Sequence, residues 1–462
     1  MSFALKDSPR CIEGDIMKQA ILLAAALIVI AAPSRVGAQT VVPPPVLQLT
    51  LDGAIAAGLR TSHRLAELAA RGDAAEAVTA ERHAATRPQM AAEAGYTRTN
   101  HVETFGIALP NNQLKIIYPD VPDNYRTRLD LQWPIYTSGR YEALERAARA
   151  DRQASSGDLA AARADLRLEI TRAYWALVTA GESLRVVEES VTRIGAHLQD
   201  VRNQLSAGLV PPNEVLSVEA QESRQRMLAI QARTTREVAE AELVRLIGAT
   251  PGTPIEPAVS LDDSPSARGP QALAALIEQA RQQRPERAAL TKRIAAASER
   301  VTAAVAGMKP TIALAGGFDY GRPNPRIFPR QEAWKESWDA GINLRWPLLD
   351  GGRTRAEAAE AAANSRASEE RLADFDATLA VELRQRGSEL ESSQAAVEAA
   401  GDAVRSATEA RRVVGERFTA GVATSTDVLD AQVALLQAEL DRTQAIANGR
   451  LARARLERAL GQ

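Results

Sequence analysis

Among the 58 carboxylates of this 462-residue chain, one pair stands out by its spacing. Asp427 and Asp430 lie three apart, just past Gly421 at the start of a helical stretch, so both can project from one helix face. Two uses fit. Repeated around a pore by symmetry, such pairs make a ring of carboxylates that concentrates cations and sets selectivity. Within one helix, Asp427 can instead cap the first turn. Asp430, further in, suits the pore better than the cap. Glu214, the first-half counterpart of Asp427, reads most simply as an exposed glutamate at a helix start.

Catalytic sets are missing from the pattern. His63, His83, His101 and His197 are scattered with no second ligand at metal spacing, and isolated histidines on charged helices are expected to be solvated. The single cysteine is Cys11. Gly351-Gly352-Arg353-Thr354 lacks the leading glycine and the lysine of a phosphate-cradling loop. No enzyme activity, metal centre or cofactor is expected. A formal charge of −2 offers no basic footprint for nucleic acid.

Met17-Lys18, the apolar run Ala20 to Ala32 and the small residues Gly37-Ala38 form a signal-peptide pattern over residues 1–38, with 1–16 reading as a mis-called start before Met17. Cys11 lies upstream of it, so the exported chain needs neither a disulfide nor a lipid anchor. Aromatics are only 4%, and the Ala-rich apolar content suits long, closely packed helices better than a wide globular core. No other stretch reaches 18 consecutive apolar residues, so any membrane crossing must be made by strands.

The second half of the chain repeats the first. Trp133-Pro134 returns as Trp346-Pro347, Gly139-Arg140 as Gly352-Arg353, Gly208 as Gly421 and Gly248 as Gly461, always 213 positions on. Upstream of the Trp-Pro pair the offset is 222, matching Pro88 with Pro310, so the first copy carries nine extra residues, placed in a loop around Leu109 to Asp123. After an extended segment 39–50, the first repeat 51–250 reads as a helix, a β-hairpin 88–137, a long helix 139–206 and a helix 213–248. A linker 251–270 leads to the second repeat 271–462, with a helix, a hairpin 310–348, a long helix 352–420 and a helix 426–460. Leu184, Val187, Val191, Ile194, Leu198, Val201 and Leu205 step by three and four along the first long helix, a heptad seam. That helix would run on the order of 100 Å, and two shorter helices end to end would flank it. Gly208 and Gly421 mark the reversals, which should share one end.

The strands have the opposite rhythm. Tyr125, Thr127, Leu129, Leu131 and Trp133 alternate with polar residues, and in the second copy Trp334, Trp338, Ile342, Leu344 and Trp346 do the same. Four of the five tryptophans, Trp133, Trp334, Trp338 and Trp346, fall here, as in an interfacial aromatic girdle. The helices are occupied by their own seams, which leaves lipid to cover the apolar strand face. Four strands cannot close a barrel and open edges are not tolerated in lipid, so several copies must share one; three copies give twelve strands. Two other architectures fit less well. A soluble periplasmic coiled-coil adaptor or scaffold leaves the tryptophan strands unexplained, and a monomeric porin needs eight or more strands.

The duplicated Trp-Pro then Gly-Arg, and the turn from Phe418 through Gly421 to Asp427-Val-Leu-Asp430, resemble the TolC-like outer membrane efflux protein family over essentially the whole exported chain. The resemblance implies a mainly α fold with membrane β: a homotrimer with a twelve-stranded outer-membrane β-barrel and a twelve-helix periplasmic tunnel. It implies a passive exit duct of a tripartite efflux or type I secretion system, served by a periplasmic adaptor and an inner-membrane pump of RND or ABC type. Asp427 and Asp430 match the family's acidic entrance residues, and Gly208 and Gly421 its adaptor-docking tips. Phe418 and Ala423 depart from an aromatic hydroxyl and a basic residue that help close the tunnel in well-known members. The absence of Met or Cys clusters argues against a dedicated soft-metal exporter.

Overall fold

The computed structural model describes residues 46–110, 113–259 and 272–462. The expected signal segment 1–38 and most of the linker 251–270 lie outside the described residues. The first repeat runs β1 (Leu47–Leu49), α1 (Leu51–Thr61), α2 (His63–Ala84), β2 (Gln89–Arg98), β3 (Phe105–Ala108), β4 (Leu114–Tyr118), β5 (Asp123–Tyr136), α3 (Arg140–Ser206) and α4 (Pro212–Ile247). After β6 (Ile255–Pro257) the second runs α5 (Leu273–Gln283), α6 (Pro285–Ala306), β7 (Thr311–Arg322), β8 (Lys335–Arg345), α7 (Arg353–Thr419) and α8 (Ser425–Ala459).

The long helices α3 and α7 are 67 residues each, about 100 Å. Each starts from a glycine in the left-handed region, Gly139 at φ 82° and Gly352 at φ 87°, which explains the repeated Gly-Arg at the strand-to-helix junction.

The sequence predicts one helix over 51–86 and one over 271–307, and the structure corrects both. Each is cut in two, at Ser62 and at Arg284, two positions related by the same 222-residue offset. Both cut residues are extended, with ψ of 114° and 116°. Ser62 caps α2 by accepting a hydrogen bond from Leu65 N at 3.3 Å, and Pro285 opens α6 where a missing N–H does no harm.

The breaks seat the ends of other helices. Gly248 closes α4 at φ 67° against Thr61, whose Oγ1 donates to Ile247 O at 3.0 Å. Gly461 lies just past α8 at φ 91° against the Gln283 backbone, and Arg284 Nε donates to Ala459 O at 2.9 Å. A four-helix wall follows. Nearer the strands its order is α2–α3–α6–α7; beyond the breaks it is α4–α3–α8–α7. The first junction is packed with Leu65, Ile170, Tyr174, Leu243, Ile247 and Ile255. The second holds Leu276, Ala280, Leu379, Leu383, Ala459 and Leu460. The expected extended segment and linker contribute β1 and β6, which pair in parallel, and Tyr174 Oη donates to Leu49 O at 3.1 Å.

The main sheet is antiparallel in the order β2-β5-β7-β8. The stretch expected as a loop near Leu109 to Asp123 contains half of a separate hairpin, β3 with β4. Its prolines flank the β-prone run Leu114-Lys-Ile-Ile-Tyr118 and so bound a strand instead of preventing one.

Candidate functional site

Both hairpin tips are built alike. α3 ends with Gly208 at φ 74°, where Gly208 N donates to Leu205 O and Leu209 N to Gln204 O, both at 2.9 Å. α7 ends with Gly421 at φ 76°, with Gly421 N on Phe418 O and Val422 N on Arg417 O, again at 2.9 Å. These are Schellman-type closures. A Cβ at either glycine would meet no atom within 4 Å, so the backbone angle demands glycine there and crowding does not. The next side chain is apolar and open to solvent in each case, Leu209 at 74% and Val422 at 63% exposure.

Past the second tip, Thr424 and Asp427 form a capping box. Asp427 N donates to Thr424 Oγ1 at 3.2 Å, while the Asp427 carboxylate accepts from Thr424 N and Thr424 Oγ1, each at 2.8 Å. These bonds, the backbone one first, hold the Asp427 carboxyl below its ordinary range. The cap thus engages Asp427, whereas Asp430 is exposed and makes no hydrogen bond. Val428, between them, is buried, so both acids stand on the solvent side of α8.

Two expectations need correction here. Glu214 is half-buried, not exposed, and its Oε2 is shielded without a hydrogen-bond partner. His197, expected to be solvated, is buried, with Nε2 2.9 Å from Ser425 Oγ and its ring 5.1 Å from that of Phe418. Its one trace in the sequence is spacing: Ser190, Ile194, His197 and Val201 step by four, three and four, sharing Ile194 and Val201 with the apolar seam, and all four are buried. The other histidines have local partners or solvent: His83 meets Glu145 at 3.1 Å, His101 meets Asp120 at 2.7 Å, and His63 is exposed. Among the described residues no cluster of His, Cys, Asp and Glu could hold a metal ion, and no helix is long and apolar enough to cross a membrane.

In the sheet, one face carries Leu129, Leu131, Phe318, Trp338 and Ile342 by register and alternation. The other face is charged. Arg126 Nε donates to Asp319 at 2.6 Å, Arg128 Nε to Asp130 at 2.7 Å, and Arg128 also pairs with Asp319 and Asp339. Gly317 leaves the room in which the Arg128 guanidinium crosses β7.

The four tryptophans separate along the strands. Trp133 and Trp346 anchor at the helical end by equivalent bonds, Nε1 donating to Thr86 O and to Met308 O, both at 3.3 Å. Trp334, just before β8, lies at the far end, stacked on Tyr320 with centroids 5.1 Å apart and close to Tyr125. Trp338 sits between the ends, opposite Phe318.

A duplicated helix–strand wall, its sheet charged on one face and apolar on the other, defines a channel-type fold. The outer membrane efflux protein family matches residues 54–249 and 276–462, one segment in each repeat, and the chain belongs to that family. It is 26% identical over 408 residues to the outer membrane protein TolC of Vibrio cholerae, covering 86% of this chain and 87% of that one. It is 23% identical over 356 residues to the cobalt-zinc-cadmium resistance protein CzcC of Cupriavidus metallidurans, covering 77% and 82%. The fold matches the crystal structure of the outer membrane protein VceC from Vibrio cholerae with a TM-score of 0.73 at 20% identity, over 89% of this chain and 96% of that one. The protein is an outer-membrane efflux channel and not an enzyme.

Proposed function

We propose that three copies of this chain close into one passive exit duct, a twelve-stranded barrel in the outer membrane continuous with a twelve-helix tunnel in the periplasm. One observation carries this reading: the sheet and the helical wall are open at the same two edges. β2 and β8 are the edge strands, α2 and α4 end the wall on the first-repeat side, and α7 ends it on the other. Unpaired strand edges are not tolerated in lipid, so β8 of one copy pairs with β2 of the next, and the same step lays α7 against the neighbour's α2 and α4.

The helix surfaces support that step. α4 leaves Leu216, Met227, Ile230 and Val238 exposed, and α7 leaves Val381 69% exposed. The sheet supports it too. From Tyr125 to Trp133 the strand is about 26 Å long, which at a barrel strand's tilt of about 40° spans about 20 Å of the roughly 25 Å apolar band of an outer-membrane barrel, with aromatic side chains at both ends. The charged face then lines the lumen.

In this duct the Gly208 and Gly421 tips dock a periplasmic adaptor, whose inner-membrane pump, of RND or ABC type, supplies the energy. Leu209 and Val422 offer it matched apolar contacts, and Asp430 from three copies makes an acidic ring at the entrance, with Asp427 beside it. The test is to express residues 39–462 behind an export signal, extract membranes with mild detergent and measure the protein mass of the particle by light scattering. A trimer obtained only with detergent is expected; a detergent-independent monomer would return the strands to a protein core.

A further inference from the structure

We propose that His197, Phe418 and Ser425 form a proton-sensitive tie that holds the second-repeat hairpin against the first at the periplasmic end of the tunnel, an inference that rests on the duct reading above. The imidazole is only 6% exposed, on a helix with many charged residues. It bridges three elements. His197 belongs to α3, Ser425 is the first residue of α8 and is itself buried, and Phe418 lies in the last turn of α7 with its ring tilted 67° to the imidazole. Around them pack Ile194, Leu198 and Val201 of α3, Val215 and Val218 of α4, and Leu429 of α8.

The tie occurs once in a duplicated chain. The second-half counterpart of His197 is Ala410, and the first-half counterpart of Ser425 is Pro212, so the equivalent bond cannot form in the other copy. Both of its halves belong to one chain, and it joins the two hairpins whose tips carry Gly208 and Gly421.

The neighbouring charges leave the ring dependent on its own protonation. Asp200, on α3 itself, acts on it at a distance. On α8, Asp427 is turned back to Thr424, and Glu439 is paired with Arg193 of α3 at 3.0 Å. On α4, Glu219 pairs with Arg202, Glu222 pairs with Arg226, and Glu214 keeps one shielded oxygen unpaired. On α7, Arg417 reaches the Val422 carbonyl, and Arg411 keeps a shielded Nε without a partner. No carboxylate forms a hydrogen bond or ion pair with the imidazole. Burial pushes its pKa below the ordinary histidine value, and Asp200 only partly opposes this. The neutral ring therefore fits the closed cluster, and a proton places an unpaired charge among valines, leucines and a phenylalanine. Because the depressed pKa belongs to the closed arrangement, the tie is intact above the ordinary histidine value. It weakens as pH falls below that value and levels off below the depressed one.

Hydrogen exchange of the segment 415–432 reads the tie directly in the full exported chain, followed from about pH 8 to about pH 4 with intrinsic rates divided out. The wild type is expected to lose about tenfold in protection on acidification, the order of effect of leaving a charge unpaired in an apolar cluster. His197→Phe is expected to keep its protection throughout, and Ser425→Ala to exchange about fivefold faster already at neutral pH, the size of one ordinary hydrogen bond. Asp200→Asn, an exposed change that leaves the packing alone, should move the midpoint to lower pH. An acid response that persists in His197→Phe, or a midpoint indifferent to Asp200→Asn, would overturn the tie. Planar-bilayer recordings on the same proteins separate the two proposals. Exchange that follows His197 in a protein that forms no channel would retire the duct and keep the tie, and channels without His197-dependent exchange would do the reverse.

Discussion

The two long helices descend from one sequence by duplication and have the same length, yet α3 buries 22 of its residues and α7 only five. Position in the wall accounts for the difference. α3 has helices on both sides along its whole course, whereas α7 is the last helix of the wall. The junctions where short helices meet end to end diverge in the same way. The first is closed by large apolar side chains around Ile170 and Tyr174. The second has a smaller apolar cluster and an ion-pair network around two buried arginines: Arg284 meets Glu286 and Glu382, and Arg458 meets Glu286 and Asp165. One backbone plan is thus held by burial in the first half and by charge pairing in the second, where hydrophobic area is scarcer.

Breaking the network should have the largest effect. Arg458→Ala takes one of its two arginines from Glu286, which keeps Arg284, and leaves Asp165 to solvent; losing the charge-assisted bond between buried Arg458 and Glu286 costs about 2–3 kcal/mol. The loss is expected to be local, seen as faster hydrogen exchange in α5, α6 and the end of α8 while α1, α2 and α4 hold. Uniform loss in both halves would show that the junctions do not act separately.

A smaller effect is expected from the glycines that seat in the breaks. Gly461→Ala forces a side chain at φ 91° and places its Cβ 2.7 Å from the Gln283 carbonyl, strain of about 1–3 kcal/mol. Gly248→Ala lies at φ 67°, nearer the left-handed well that other residues can visit, so it should destabilise less despite its approach to Thr61. Thermal denaturation of the two variants in the same detergent gives the order, and the reverse order would count against backbone crowding at the second junction.

Acid should separate the halves again. Burial pushes Glu286 up, but its bond to Arg458 and the charges of Arg458 and Arg284 bring its carboxyl below the ordinary range. The stability it contributes is present above the ordinary glutamate value and is lost as pH falls through the folded one. Near the first junction the Glu242–Arg245 pair is exposed, so solvent screening leaves little to lose there. Exchange protection at the second junction should therefore fall at a higher pH than at the first.

Much of this was legible in the sequence because duplication supplies its own control. The constant offset between the Trp-Pro, Gly-Arg and turn-glycine pairs located the reversals and the strand-to-helix junctions, and two-residue alternation located β5 and β8. The breaks at Ser62 and Arg284 were harder, because apolar spacing continues through both and only Pro285 signals one of them. His197 was hidden by composition: it sits one position from the seam residue Leu198, and only the helices on either side of α3 decide that its stripe is also covered. The β3–β4 hairpin was masked by the prolines around it, which marked a loop when their spacing left room for a strand.

The smallest effect is also the one that decides what Asp427 is for. Its carboxylate accepts two hydrogen bonds from Thr424, and an asparagine side-chain oxygen can accept the same two without the charge. Asp427→Asn should leave the first turn of α8 nearly as protected from exchange as in the wild type, while Asp427→Ala frays it. In planar bilayers, a drop in cation preference in Asp427→Asn with the cap intact would assign the charge to the pore, alongside the same loss in Asp430→Asn, which gives up no hydrogen bond. Unchanged preference in Asp427→Asn with a loss in Asp430→Asn would leave Asp427 a capping residue and place the selective ring at Asp430 alone.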